Sequence, residues 1–120
     1  MAKKILVIDD EPDVLKVLLL RLGKIGYEVS GGVNGREAID FSRRLSPDLI
    51  VLDFYLPDMN GDMVVRILKG DEKLKNIPVI LISASTGSVA EKAASCGASV
   101  CLEKPFEPQD LIGAVKKIIG

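Results

Sequence analysis

Histidine and tryptophan are both missing from the 120 residues. The first absence excludes any mechanism in which the protein's own imidazole is base, nucleophile or metal ligand. The second, with aromatics at only 4%, excludes a base-stacking platform of the kind that holds single-stranded nucleic acid. Positive charge is not in excess either. Sixteen Lys and Arg stand against 17 Asp and Glu, a net charge of -1, so there is no basic footprint and no direct nucleic acid contact is expected. Cysteine occurs twice, at Cys96 and Cys101, too sparsely for a disulfide framework. Both are expected to be small thiols in a reducing compartment. No apolar run approaches the roughly 18 residues of a membrane span. Met1-Ala-Lys-Lys leads into a strand-like run, not the apolar core of a signal peptide. A cytoplasmic location without membrane association is expected.

What is present is aliphatic. At 48% hydrophobic residues the chain can bury one domain-sized core. Four short runs, Ile5–Ile8, Leu49–Leu52, Val79–Ile82 and Val100–Leu102, are rich in β-branched residues and continuous, not alternating. Strands buried on both faces of a parallel sheet read this way. A weaker run at 27–31 predicts an edge strand. Between the runs, apolar residues recur at helical spacing over 11–23, 35–45, 61–69, 87–96 and 108–119. Pro12 and Pro108 suit first turns, and Gly23 and Gly26 are expected to end the first helix. Strand and helix alternate five times, which predicts an α/β, doubly wound parallel sheet with helices on both faces. The pattern completes at Gly120, so a single domain over residues 1–120 is expected, either alone or at the head of a longer chain.

The polar residues fall at strand ends. The first strand runs into Asp9-Asp10-Glu11, the third into Asp53, the fourth into Ser83 and the fifth into Glu103-Lys104. Open α/β sheets bind ligands outside the carboxyl ends of their strands, so these groups are expected at one edge. Each has a plain explanation alone: acids suit helix starts, Ser83 suits a cap, and Lys104 suits a solvated strand end. Together they do not, because clustered carboxylates repel unless a cation offsets the cost. Oxygen ligands without imidazole or thiolate point to a hard ion such as Mg²⁺. Carboxylate, hard cation, lysine and hydroxyl form a phosphoryl-transfer set.

Over its whole length the sequence resembles the receiver domain of two-component response regulators. The resemblance rests on Asp9-Asp10, on Asp53 followed by Pro57 and Gly61 in "DFYLPDMNG", on Ser83-Ala84, and on Lys104-Pro105-Phe106. It implies a five-stranded sheet in the flavodoxin-like order 2-1-3-4-5 with five helices. It further implies Asp53 as phosphoacceptor, with Asp10, Asp53 and the Tyr55 backbone carbonyl ligating Mg²⁺ or Mn²⁺ and Asp9 holding a metal-bound water. Ser83 and Lys104 would bind the phosphoryl group, and the bond before Pro105 would be cis. The donor would be a phosphohistidine on a sensor histidine kinase or a histidine phosphotransfer protein, which accounts for the missing histidine. An output domain or downstream protein would read the result.

Two positions depart from the family pattern. Cys101 stands three residues before the lysine, where such domains usually carry a Tyr or Phe ring. Tyr55 stands two residues past the acceptor, where it is expected to slow hydrolysis of the acyl phosphate. Three other classes compete. A haloacid-dehalogenase-like phosphatase needs a second acid where Tyr55 stands. A flavin carrier needs a Ser/Thr/Gly-rich loop where this chain has Asp-Asp-Glu-Pro. A receiver-like scaffold that signals without phosphorylation would have no use for the acidic cluster, Ser83 and Lys104.

Overall fold

The computed structural model describes residues 2–83, 97–104 and 106–120. Strands β1 (Lys4–Ile8), β2 (Glu28–Gly32), β3 (Leu49–Asp53), β4 (Val79–Ser83) and β5 (Val100–Glu103) alternate with helices α1 (Pro12–Ile25), α2 (Gly35–Leu45), α3 (Gly61–Lys69) and α4 (Pro108–Ile119). Every pairing is parallel, in the order β2-β1-β3-β4-β5. The helix predicted at 87–96, Cys96, and the peptide bond before Pro105 lie outside the described residues. No helix among the described residues is long and apolar enough to cross a membrane.

Successive side chains of a strand point to opposite faces, and here both faces are covered. Leu6, Ile8, Ile50, Leu52, Val79 and Leu81 pack under Ala38 and Ile39 of α2 and Val64, Val65 and Leu68 of α3. Ile5, Val7, Leu49, Val51, Ile80 and Ile82 pack under Leu18 and Leu22 of α1 and Leu111 and Val115 of α4. That sandwich is why the central runs read as unbroken apolar segments.

The chain turns back on itself between β1 and β3: from β1 it crosses to β2 on one side, then returns to β3 on the other. In this topology the crevice lies at the carboxyl ends of those two strands. Ile8 is level with Leu52, so Asp9 and Asp53 arrive side by side.

Helix α1 differs from expectation at its end. It continues through Gly23 to Ile25 and stops at Gly26, whose φ of 116° is left-handed. That conformation suits glycine, and the Gly26 amide closes the helix on the carbonyls of Gly23 and Leu22. A glycine inside a helix lowers propensity without stopping it. At α2 the Asn34 side chain accepts from the Glu37 amide at 2.8 Å, and the Glu37 carboxylate accepts from the Val33 amide at 2.8 Å. At α4, Glu107 and Asp110 form a reciprocal capping box behind Pro108.

Candidate functional site

The site grows from three strand ends. Past Ile8 the chain leaves the sheet, and Asp9 turns inward, 1% exposed. One of its oxygens accepts the Glu11 amide at 2.9 Å, which folds the acidic triplet back on itself before α1 begins. Asp53 closes β3 at 4% exposure, accepting the Tyr55 amide on Oδ1 at 3.4 Å. Lys104 follows β5 and is placed by its own amide, which donates to the Ser83 carbonyl at 2.7 Å. From there Nζ reaches Asp53 Oδ2 at 3.3 Å, Glu11 Oε1 at 3.4 Å and Asp9 Oδ2 at 3.5 Å.

One ammonium therefore serves three carboxylates, and the electrostatics record the shortage. Burial, then the charge of Asp9, pushes the Asp53 carboxyl up from 3.8 to about 6, although Lys104 pulls the other way. Burial pulls the Lys104 ammonium down, but Asp53 and Asp9 outweigh it and hold it above the ordinary lysine value. Carboxylate oxygens of Asp9, Asp10, Glu11 and Asp53 all lie within 4.8 Å of one another. This donor set, four carboxylates with no nitrogen or sulfur, fits a hard divalent cation. A 220 Å³ cavity opens onto it, lined by Asp10, Glu11, Asp53, Tyr55 and Lys104. Larger, and mainly apolar, is a 560 Å³ groove lined by Asp13, Val14, Val17, Leu18, Phe106 and Pro108 and sharing Lys104 with the cavity.

Asp9, Asp10, Asp53 and Lys104 thus come together as the strand ends led one to expect, with Tyr55 on the cavity wall, half exposed and edge-on to Phe54 at 4.9 Å between ring centres. Ser83 ends β4 on the strand next to Asp53 but is fully buried and is not part of the cavity lining. Cys101 pairs in register with Leu81 and packs, half-buried, toward α2 and α3. Glu11, the last of the three acids that follow β1, joins the cluster through Lys104. Outside the expected site residues lies Asp58. Asp58 accepts the amides of Gly35 at 2.7 Å and Arg36 at 2.9 Å, joining the loop after β3 to the start of α2. Slight burial raises the Asp58 carboxyl, and backbone amides, those of Gly35 and Arg36 foremost, more than reverse it and leave its pKa lowered. Asp58 opens the Asp-Met-Asn-Gly segment before α3, where acids favour helix N-termini, but the helix it caps begins 23 residues upstream.

Comparison with known proteins agrees with this fold. The family model described as "Response regulator receiver domain" matches residues 5–116. The chain is 34% identical to the chemotaxis protein CheY of Thermotoga maritima, over 98% of each chain. It is also 34% identical to the DNA-binding response regulator MtrA of Mycolicibacterium smegmatis, where 97% of this chain covers 50% of that protein. The chain thus spans about half the length of that relative. Among solved structures, CheY4 of Vibrio cholerae superposes with a TM-score of 0.93 at 26% identity, over 99% of this chain and 100% of that one. The signal receiver domain of a histidine kinase from Syntrophus aciditrophicus gives 0.91 at 35% identity, over 98% and 90%.

Proposed function

This chain belongs to the response regulator receiver domain family, and from that premise we propose that residues 1–120 form a phosphoryl-accepting unit in which Asp53 is the acceptor. The observation that carries the reading is the placement of Lys104 Nζ 3.3 Å from the Asp53 carboxylate inside a four-acid cluster. With a pKa of about 6, Asp53 is ionised at neutral pH, yet more basic than an ordinary carboxylate and so a better nucleophile.

In the transfer, an Asp53 oxygen forms a bond to phosphorus as the bond from phosphorus to the partner's imidazole nitrogen breaks, and that nitrogen keeps the electron pair. Lys104 is placed to meet the phosphoryl oxygens as charge shifts onto the acceptor side, a point charge suited to one oxygen. Ser83, on the next strand, would donate its hydroxyl to another. Asp10, Asp53 and the Tyr55 carbonyl would hold Mg²⁺ or Mn²⁺, with Asp9 behind them. The ion would neutralise the cluster and the incoming phosphoryl group. The chain would catalyse only its own modification and the later hydrolysis of its acyl phosphate.

The donor is a phosphohistidine on a kinase or phosphotransfer partner. The mainly apolar groove beside α1 supports this, since a partner seated there would meet Lys104, which also lines the acidic cavity. An output domain or a separate protein would read the modified state. Intact-mass analysis after incubation with acetyl phosphate and Mg²⁺ tests the proposal. Wild type should gain one phosphoryl group and Asp53→Asn none; a wild type that stays unmodified, and that beryllofluoride with Mg²⁺ fails to perturb, would favour the scaffold reading.

A further inference from the structure

The segment between β3 and α3 behaves as a small closed hairpin. Its base is sealed where the Gly61 amide donates to the Phe54 carbonyl at 2.6 Å. No side chain fits at Gly61, since a Cβ there would stand 2.9 Å from the Asp53 carbonyl and from the Phe54 Cα. Its arms meet at an antiparallel bridge between Tyr55 and Asn60. Its tip, Asp58-Met59, lies against α2. The Asp58 carboxylate takes the first two amides of that helix at 2.7 and 2.9 Å. Met59 fills the space over Gly35, where a Cβ would collide with it.

The arm that matters is Tyr55. Its own tie to the site is the 3.4 Å bond from its amide to Asp53, long for a hydrogen bond and correspondingly weak. The two short, charge-assisted bonds at the tip are stronger. They cap the first two amides of α2, as Asn34 caps the third, and unlike Asn34 they also tie the hairpin tip to that helix. We propose that Asp58 is a positioning residue of the phosphoacceptor site: by fastening the hairpin tip to α2 it holds the Tyr55 backbone beside Asp53. The inference rests on the reading of Asp53 as acceptor and of Tyr55 as a contributor to ion binding.

Mg²⁺ titration of the whole chain, followed by tyrosine emission, tests it. Tyr27 and Tyr55 are the only tyrosines and there is no tryptophan to mask them. Asn34→Ala is the control, since it removes a cap from α2 without touching the hairpin. Both Asp58→Ala and Asn34→Ala should lower the melting temperature by about 4 °C. Only Asp58→Ala should raise the Mg²⁺ Kd, by about tenfold, as loss of a group that orients ligands does. Asp58→Asn, which keeps one acceptor, should raise it about threefold, and it carries the test if the alanine variant does not fold. Equal shifts in Asp58→Ala and Asn34→Ala, or an unchanged Kd in Asp58→Asn, would overturn the positioning role while leaving Asp53 as acceptor. A wild type that shows no response to Mg²⁺ would overturn the reading of the site and the inference with it.

Discussion

Asp53 at the end of β3 and Asp58 in the loop beyond it stand five positions apart, and their environments drive them apart. Asp53 is buried beside a like charge, and its pKa is pushed up to about 6. Asp58 lies at the surface, satisfied by backbone amides, and its pKa is lowered. The first is a carboxylate that shares one ammonium, that of Lys104, with Asp9 and Glu11 among the described residues. The second is a carboxylate already used, holding the loop in shape. The same functional group thus meets opposite surroundings at the two ends of the hairpin, burial beside a like charge at the base and exposure among backbone amides at the tip.

Replacing Asp53 gives the largest expected effect. Asp53→Asn should abolish phosphorylation, and in EDTA at neutral pH it should stabilise the fold by about 1 kcal/mol once solvent screening of the upward shift is allowed for. Urea denaturation checks the second part; a destabilised variant would mean that Asp53 is not strained. Lys104→Ala comes next. It should slow transfer from acetyl phosphate by about a hundredfold, as removal of a transition-state donor does. It should also destabilise the metal-free fold by about 3 kcal/mol, because Asp9 and Asp53 remain buried without a counter-charge. Mg²⁺ should restore part of that stability.

The pH dependence sharpens the contrast. The folded pKa of Asp53 lies above its unfolded value, so the stability it contributes is complete below about pH 4 and lost as pH rises through about 6. For Asp58 the sign reverses: its contribution is present above the unfolded pKa and lost as pH falls through the folded one. Relative to wild type in EDTA, Asp53→Asn should therefore gain its advantage as pH rises, and Asp58→Ala should show its deficit in the same direction. Parallel urea series from about pH 2 to about pH 8 would span both windows and expose any failure of these opposite trends. Least of all should be the effect of Asp40→Ala. Its ion pair with Arg36 is 3.4 Å long and solvent-exposed, and its loss should cost no more than about 0.5 kcal/mol.

Those magnitudes track what could be read from the sequence. The strands were legible because burial on both faces leaves unbroken aliphatic runs, and the site because its members each follow such a run. Asp9, Asp53 and Lys104 needed only the sheet order to be brought together. Gly23 misled because a glycine inside a helix and one that ends it look alike in sequence; only the left-handed φ at Gly26 tells them apart. Glu11 and Asp58 depend on tertiary placement. The first is recognised by a lysine 93 residues away, the second by amides 22 and 23 residues away. No local pattern encodes either partner. Ser83 was placed correctly on its strand, but its burial behind the cavity lining depends on how β4 sits in the sheet.

Lys104 belongs to two compartments at once, the acidic cavity and the mainly apolar groove beside α1. That shared wall imposes a thermodynamic bargain. On the proposed reading of the site, whatever factor an occupant of the groove applied to the lysine's affinity for a phosphoryl group, phosphorylation would apply to the occupant's affinity for the groove. A donor whose docking drew Lys104 outward would then be released by the transfer it had made, and one whose docking pressed the lysine inward would stay bound to its product.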